Sequence, residues 1–134
     1  MPIVDLLTPS QDAVFARLKA GVPPNIASVL QHVKQDTQPP YIVIGAIDSD
    51  NGATKGGQGE QISVDIHFVH RGPGRAPLFV MMHAARQALD GQPLEAEGVA
   101  FETPNFLGSS ATTAGQDGVT YAGLSQYEFF AEPA

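Results

Sequence analysis

Hydrophobic and polar residues alternate along the stretch from Gly59 to Gly72. Every second side chain there is apolar, which is the period-two pattern of a strand with one buried face. The apolar positions are Ile62, Val64, Ile66 and Phe68. A second run, from Pro39 to Ile47, is rich in isoleucine and valine and opens with prolines that favour an extended chain. The sequence therefore predicts a strand pair, joined by a long glycine-rich loop from Ser49 to Gln58.

An amphipathic helix is predicted from Ala76 to Asp90. Pro77 suits the first turn of a helix, and Gly91 suits its C-terminal cap. Apolar residues recur at the i, i+3, i+4 and i+7 spacing that places them on one stripe of a helix. They are Leu78, Met81, Met82, Ala85 and Leu89. We expect this stripe to pack on the sheet.

Two further strands are predicted in the C-terminal third of the chain, from Leu94 to Thr103 and from Gly118 to Phe130. The residues between them, Pro104 to Gly118, are poor in charge and rich in glycine, serine and threonine, which predicts a loop. Ser109 and Ser110 fall in this loop and lack the glycine pattern that exposes a catalytic serine.

The N-terminal third carries two overlapping signals. Thr8 and Pro9 provide N-cap and first-turn chemistry for a short helix that runs to Gly21. The side chains expected to point inward from this helix are Val14, Phe15 and Leu18. Farther along, apolar residues again have helical spacing, which by periodicity alone predicts a second helix. These residues are Ile26, Val29, Leu30 and Val33.

Length and element order together predict an α+β fold. The 134 residues are enough for one domain, residues 1–134, with a real core and no internal linker. We expect an antiparallel or mixed β-sheet packed by one main amphipathic helix (Ala76 to Asp90) and a short N-terminal helix. No apolar run is long enough to span a bilayer, so we expect no membrane partner and a protein made and used in the cytosol. The absence of cysteine excludes disulfides and thiol chemistry.

The formal net charge is −7, with only seven lysine and arginine residues. This composition argues against a nucleic-acid-binding surface, because such a surface needs a clustered basic patch. It is compatible with a wall that DNA slides past without binding, since like charges repel.

The strongest metal-binding candidate is formed by Asp65, His67 and His70, with His83 later on the helix. Asp65 and His67 share one face of the strand, whereas His70 falls on the other face, which argues against a three-ligand site. We therefore expect no catalytic residue, no metal and no cofactor. A small metal-binding α+β enzyme that uses these three residues is the alternative.

The order and spacing of five features resemble the tail completion, or tail terminator, family of long-tailed phages. The features are HVKQDTQPPYIVIG, a glycine-rich loop, QISVDIHFVHRG, a helix that closes in ARQALDG, and a terminal DGVTYAGLSQYEFF. The resemblance covers about Asp12 to Glu132. In this family the segment that corresponds to Val29 to Gly45 runs extended toward a Pro-Tyr pair. The resemblance therefore predicts an extended chain there in place of the second helix.

The resemblance implies a structural protein of the virion without enzymatic activity. Family members form a ring, usually of six copies, that caps the head-proximal end of the tail tube, ends tube polymerisation and enables head-tail joining. The implied partners are further copies of the chain, the tail tube protein and the head-tail connector, with DNA passing through the lumen without specific binding. Assembly is expected in the host cytoplasm. A head-tail connector or head-closure role is the alternative within the same fold.

A closed ring requires two different contact patches on each subunit. The predicted interface residues are Lys55, Arg71, Arg75, Phe79, His83 and Arg86. The three on the helix are expected on the face opposite its core stripe, where an aromatic and charged mixture suits a seam between subunits. An ordinary solvated helix face has nearly the same composition. The other three basic residues would complement an acidic partner.

Overall fold

Two helices pack on one face of a mixed β-sheet in the residues that the structure describes. The computed structural model describes residues 4–51 and 57–134. The elements are α1 (Leu7–Gly21), β1 (Ser28–Leu30), β2 (Tyr41–Asp50), β3 (Glu60–Arg71), α2 (Ala76–Leu89), β4 (Val99–Phe101), β5 (Asn105–Ala111) and β6 (Thr120–Pro133). The strand order is β1-β2-β3-β6-β4, and β5 also pairs with β6. The predicted α+β fold in a single domain is confirmed.

The centre of the sheet is the antiparallel pair of β3 and β6, which stay in register over residues 60–71 and 120–131. The alternation predicted for β3 is confirmed, because its four apolar positions are all buried. Opposite them on β6, Tyr127 and Phe129 are buried as well. Burying each such side chain contributes roughly 1.5–3 kcal/mol, so this layer supplies much of the stability of the domain.

Helix α2 closes the core above this pair. All five positions of its predicted apolar stripe are buried, and Pro77 lies in its first turn. The helix ends at Leu89, one residue before the predicted end, because Asp90 is extended. Gly91 follows with a φ of 71°, the left-handed conformation that favours glycine after a helix.

Helix α1 begins at Leu7, after the N-cap residue Leu6, and the side chain of Asp5 accepts hydrogen bonds from its first turn. The Asp5 oxygen Oδ1 accepts hydrogen bonds from the backbone N–H groups of Leu7 at 3.0 Å and Thr8 at 3.2 Å. The predicted Thr8 cap is therefore wrong, because an upstream carboxylate already satisfies these free donors. Two of the three predicted inward side chains are buried, and Phe15 packs at the edge of the core.

Helix α1 also holds α2 in place. Gly21 allows close packing, because a Cβ atom there would lie 2.5 Å from the Ala88 Cβ atom. The Arg17 Nε–H donates a hydrogen bond to the Ala88 carbonyl oxygen at 2.9 Å. Among the described residues, neither helix has the length and apolar character needed to cross a membrane.

The second helix predicted by periodicity is wrong. The extended chain predicted by the resemblance from Val29 to Gly45 is confirmed in β1 and in the start of β2, and a turn at Lys34–Thr37 lies between these two strands. Ser28, Val29 and Leu30 form β1, which pairs in parallel with the start of β2. Val33 is 40% exposed, so the apolar positions do not share one buried stripe. The edge of β2 supplies main-chain partners that a sequence window cannot reveal.

Strand β2 is longer than predicted, and it shortens the loop that follows. It pairs antiparallel with β3, contains an irregularity between Ile44 and Ile47, and continues to Asp50. Ser49 and Asp50 were predicted in the loop and instead lie in this strand. Residues 52–56 of the predicted loop lie outside the described residues.

The predicted loop from Pro104 to Gly118 is wrong over its first half, where the chain forms β5. The preceding predicted strand, from Leu94 to Thr103, shortens to β4. The physical reason is β6: β3 occupies one of its edges, and β4 and β5 together occupy the other. The Glu102 N–H donates to the Phe130 carbonyl oxygen at 2.8 Å. This bond continues the pairing with β6 between the end of β4 and the start of β5. Backbone pairing thus overrides the loop-like composition.

Candidate functional site

A groove with a volume of about 440 Å³ separates α2 from β5. Its helix wall consists of Arg75, Phe79, His83 and Arg86. Its strand wall consists of Phe106, Ser109, Ser110 and Ala111, and Met82 and Ser125 also line it. The large and charged side chains thus stand on the helix, while three of the four strand residues are small. Because the residues on β5 are small, its edge stays accessible beside the helix.

The C-terminal end of α2 is attached to β5 by a cluster of three side chains. Arg86 Nε lies 3.4 Å from Asp90 Oδ2, an ion pair across one helical turn. The other Asp90 oxygen, Oδ1, accepts a hydrogen bond from the Phe106 N–H at 3.3 Å. The Arg86 guanidinium lies 3.9 Å from the centroid of the Phe106 ring, a cation–π contact. Together these contacts close one end of the groove.

Tyr127 joins this cluster to the core. Its ring packs edge-on against Phe106, with the centroids 5.5 Å apart. The side chain is buried, and its hydroxyl has no hydrogen-bond partner among the described residues. Burial raises the pKa of Tyr127 above its ordinary value, and the Asp90 carboxylate acts in the same direction. The phenol therefore stays neutral and serves as a packing group beneath the groove.

Two arginines contact the hairpin between β5 and β6 at the other end of the groove. Arg75 Nη1 donates a hydrogen bond to the Thr112 carbonyl oxygen at 3.2 Å. Arg71 Nε donates to Thr120 Oγ1 at 3.3 Å. These contacts hold the hairpin against the start of α2, so both ends of the groove are fastened and its middle is open.

Asp117 organises the turn of this hairpin. Its oxygen Oδ1 accepts hydrogen bonds from the N–H groups of Val119 at 3.0 Å and Thr120 at 2.9 Å, and Oδ2 accepts one from the Thr120 hydroxyl. The bond from the Thr120 side chain, followed by the two backbone bonds, lowers the pKa of Asp117 to about 2. Gly118 has a φ of 75°, a conformation that other residues rarely adopt.

Four of the six predicted interface residues lie together in the groove wall: Arg75, Phe79, His83 and Arg86. Phe79, His83 and Arg86 lie on the flank of α2 that borders β5, beside the core stripe and not opposite it as predicted, and Arg75 is the N-cap residue of the helix. Arg71 lies outside the groove at the hairpin. Lys55 lies outside the described residues. The chain topology therefore gathers residues that the sequence suggested separately.

The three candidate metal ligands point to different surroundings. The Asp65 carboxylate accepts a hydrogen bond from Gln126 Nε2 at 3.2 Å. The His67 ring packs over Gly45, where an added Cβ would lie 2.2 Å from it. His70 stacks on Tyr121 with centroids 6.5 Å apart. Within residues 4–51 and 57–134, no three histidine, aspartate or glutamate side chains come together as a metal site.

Residues 12–132 match the family model for tail completion protein gp17. The match spans β1 to β5, all but the last residue of β6, the whole of α2, the groove and the hairpin. The chain belongs to the tail completion protein family. It is accordingly a structural protein of a phage tail and a component of the virion particle.

This tail completion protein shares its fold with two solved structures. A chain in the virion of a native gene transfer agent particle is 20% identical, covers 90% of this chain and 93% of its own length, and superposes with a TM-score of 0.68. The bacteriophage SPP1 gp17 protein is 24% identical, covers 92% of this chain and 90% of its own length, and gives a TM-score of 0.60. Among curated proteins, none matches this chain.

The strand side of the groove in this tail completion protein was not predicted from the sequence. Asp90 and Phe106 fasten the helix to the strand, and neither was singled out. The spacing of Arg86 and Asp90, four residues apart on a helix, was an available signal for the ion pair. The contact between Asp90 and Phe106 joins residues from two elements, and no local pattern indicates it.

Proposed function

We propose that copies of this chain form a closed ring that caps the head-proximal end of the tail tube. The ring ends tube polymerisation and enables head-tail joining. The family match over residues 12–132 carries this proposal. The ring contains six copies, the usual number in the family that the sequence resembles. Its neighbours are the tail tube protein and the head-tail connector, and it assembles in the host cytoplasm.

The groove wall supports a contact between subunits. Phe79 is 50% exposed and Val80 is 53% exposed on the same helix. The Arg75 guanidinium lies 5.9 Å from the centroid of the Phe79 ring. Aromatic and arginine side chains are enriched in interfaces, and exposed apolar groups gain most from being covered. The proposed contact residues are Lys55, Arg71, Arg75, Phe79, His83 and Arg86.

The acidic face of the sheet supports a conduit for DNA. Asp48, Asp65 and Glu128 lie on the face away from the helices, because they alternate with buried positions along their strands. In the proposed ring this face lines the lumen. Carboxylates there repel the phosphate backbone, so DNA passes without specific binding.

Electron microscopy of particles from a phage that lacks this gene tests the proposal. We expect full heads to accumulate beside free tails of abnormal and variable length. Normal joined particles would refute a role in tail completion. Tails of normal length beside full heads that fail to join would instead indicate a connector role, since tube length would not depend on this chain.

A substitution in the groove wall tests the contact. We expect Phe79→Asp to leave the purified protein folded, because the side chain is half-exposed, and to prevent head-tail joining. Val33→Asp is the matched control, since Val33 is also exposed but follows β1, at the opposite end of the sheet from β5. Equal numbers of infectious particles from both variants would exclude Phe79 from the contact.

A further inference from the structure

The sheet has two edges whose backbone is incompletely paired among the described residues. β1 pairs with β2 only at Tyr41, Ile42 and Val43, so residues 44–50 of β2 have no strand beside them on that edge. At the other end of the sheet, β5 pairs with β6 alone. The free part of β2 and the edge of β5 therefore lie at opposite ends of one sheet.

The edge of β5 presents backbone groups to the groove. The Thr112 N–H donates to the Ala122 carbonyl oxygen at 2.8 Å. Hydrogen-bonded and non-bonded pairs alternate in an antiparallel ladder, so the N–H and C=O groups of Ala111 and Ser109 point away from β6. The outward Phe106 N–H is already taken by Asp90. The open length of the edge is therefore the part that borders the groove.

The residues of β5 lack the charges and prolines by which proteins usually protect a free strand. β5 has the sequence NFLGSSA, with no charged residue and no proline. Charged side chains, prolines and covering segments are the usual means of preventing strand addition. Gly108, Ser109 and Ser110 leave room for another backbone to approach, and the adjoining groove leaves space for its side chains.

The strand directions suit pairing between copies. β2 with β3, β3 with β6, and β6 with β5 are each antiparallel. Three reversals make β5 antiparallel to β2. In a ring of copies related by rotation about an axis along the strands, β5 of one copy would meet the neighbour's β2 in antiparallel orientation, which is the more stable pairing.

We propose that the groove receives residues 44–50 of β2 from a second copy of this chain, so that β5 and β2 join neighbouring sheets by main-chain hydrogen bonds. This inference rests on the proposed ring and specifies its seam. Because the two edges differ and lie at opposite ends of each sheet, the contact is head to tail, the type that generates a ring when the rotation between copies closes. Strand addition of this kind gives affinity through the backbone and specificity through side chains in adjacent pockets.

The two edges differ in charge. The free part of β2 carries Asp48 and Asp50 and no basic residue, and both positions lie on the face of the sheet away from the helices and the groove. Their like charges disfavour contact between two β2 edges, whereas β5 carries no charge that would repel β2. Ile47, which is half-buried in the isolated chain, lies on the face of the sheet that the helices cover and would extend the apolar lining of the groove.

Cysteine cross-linking in assembled particles tests the seam, because the natural chain has no cysteine. Ser109→Cys is combined in turn with Ala46→Cys, Asp48→Cys, Ser49→Cys and Asp50→Cys. Several positions are tested because strands in a closed sheet are staggered, so the residue of β2 that lies opposite Ser109 depends on the size of the stagger. Within one chain, β2 and β5 are three strand spacings apart, roughly 14 Å. A disulfide needs Cα atoms within about 7 Å, so any cross-link must join two copies.

We expect at least one combination to give a ladder of covalent multimers that ends at the ring size, at least tenfold above the control. The control is Ser63→Cys with Ser109→Cys, because Ser63 lies on the central strand β3 and cannot reach a neighbour's β5. Rings that are present in tails but never cross-link above the control would overturn the seam and leave the proposed function standing. Tails that contain no ring of this chain would refute both.

A proline at the edge gives a second readout. The Ser109 N–H points away from β6, so Ser109→Pro removes an outward donor without breaking the internal ladder. We expect its melting temperature to stay within a few degrees of the natural protein, while ring formation falls at least tenfold. Ser109→Thr is the matched variant that keeps the donor and should assemble normally. Normal assembly of a folded Ser109→Pro variant would contradict the seam.

Discussion

The central pair of strands, β3 and β6, and the edge strand β5 are stabilised by different interactions. β3 places four large apolar side chains in the core, and each contributes by leaving water. β5 has mostly small residues, leaves Leu107 52% exposed, and is held by backbone pairing to β6 and by contacts at its two ends. The first region is specified by its own residues. The second depends on a neighbouring strand that comes later in the chain.

This difference separates stability from assembly. A region whose side chains are buried within the subunit has little left to offer a partner. A strand that is paired on one side and bordered by an open groove still has backbone groups and exposed side chains to cover. Surfaces of this kind are typical of contacts between subunits. We therefore expect core substitutions to affect folding, and groove substitutions to affect assembly first.

The largest expected effect is that of Met82→Asp in the core stripe of α2. Met82 is 8% exposed and its sulfur packs against Gly123 of β6, so the substitution buries a carboxylate without a partner. We expect a loss of about 4 kcal/mol or more, a large share of the 5–15 kcal/mol that stabilises a typical domain. The protein should be unfolded or insoluble, as measured by soluble yield and thermal melting.

Val80→Asp is the matched control on the same helix, because Val80 is 53% exposed. We expect its melting temperature to change little. If Met82→Asp melted like Val80→Asp, the packing of α2 on the sheet would be wrong.

An intermediate effect is expected for Phe106→Ala, which removes the link between the edge strand and the core. The substitution deletes a half-buried ring that contacts both Arg86 and Tyr127. We expect a loss of about 2 kcal/mol, less than for a fully buried phenylalanine, with a native fold retained. Urea unfolding measures it.

Leu107→Ala controls for this experiment, since its side chain is exposed and should cost less than about 0.5 kcal/mol. Equal losses from the two substitutions would show that the Arg86–Phe106–Tyr127 contacts do not hold β5 in place. Other contacts would then have to hold β5 against the core.

The smallest effect is expected for Asp117→Asn in the hairpin turn. The pKa of Asp117 is lowered from its usual value of 3.8 to about 2, so its ionised form stabilises the fold. That contribution is present above about pH 4 and is lost as pH falls toward 2. We expect the natural protein to melt slightly higher than the variant at pH 5, and the difference to shrink as pH falls toward 2 and to vanish below it.

Asp36→Asn removes one carboxylate without touching this turn and controls for the change in net charge. A difference between natural protein and Asp117→Asn that stays constant from pH 5 to pH 2 would exclude Asp117 as the source of the pH dependence.

The elements that could be predicted from the sequence are those whose pattern is local. The alternation in β3 and the stripe of α2 each specify which side chains are buried, so their existence and inward faces were predicted correctly. The helix side of the groove could be predicted as well, since Phe79, His83 and Arg86 lie beside that stripe on the same helix. For β1, apolar spacing alone predicted the wrong element, and the family resemblance corrected it.

The sequence by itself determined the core, because hydrophobic burial acts on each side chain according to its position in a helix or strand. Only the tertiary structure decided the edge strand and the groove. β5 is a strand because β6 has backbone groups on its second edge that require partners. The groove exists because Asp90 fastens the C-terminal end of α2 to β5 and Arg75 fastens the N-terminal end to the hairpin after β5, and the small residues between these points stay uncovered. Backbone pairing and contacts between distant residues have no local signature, so a sequence rich in glycine and serine was interpreted as a loop.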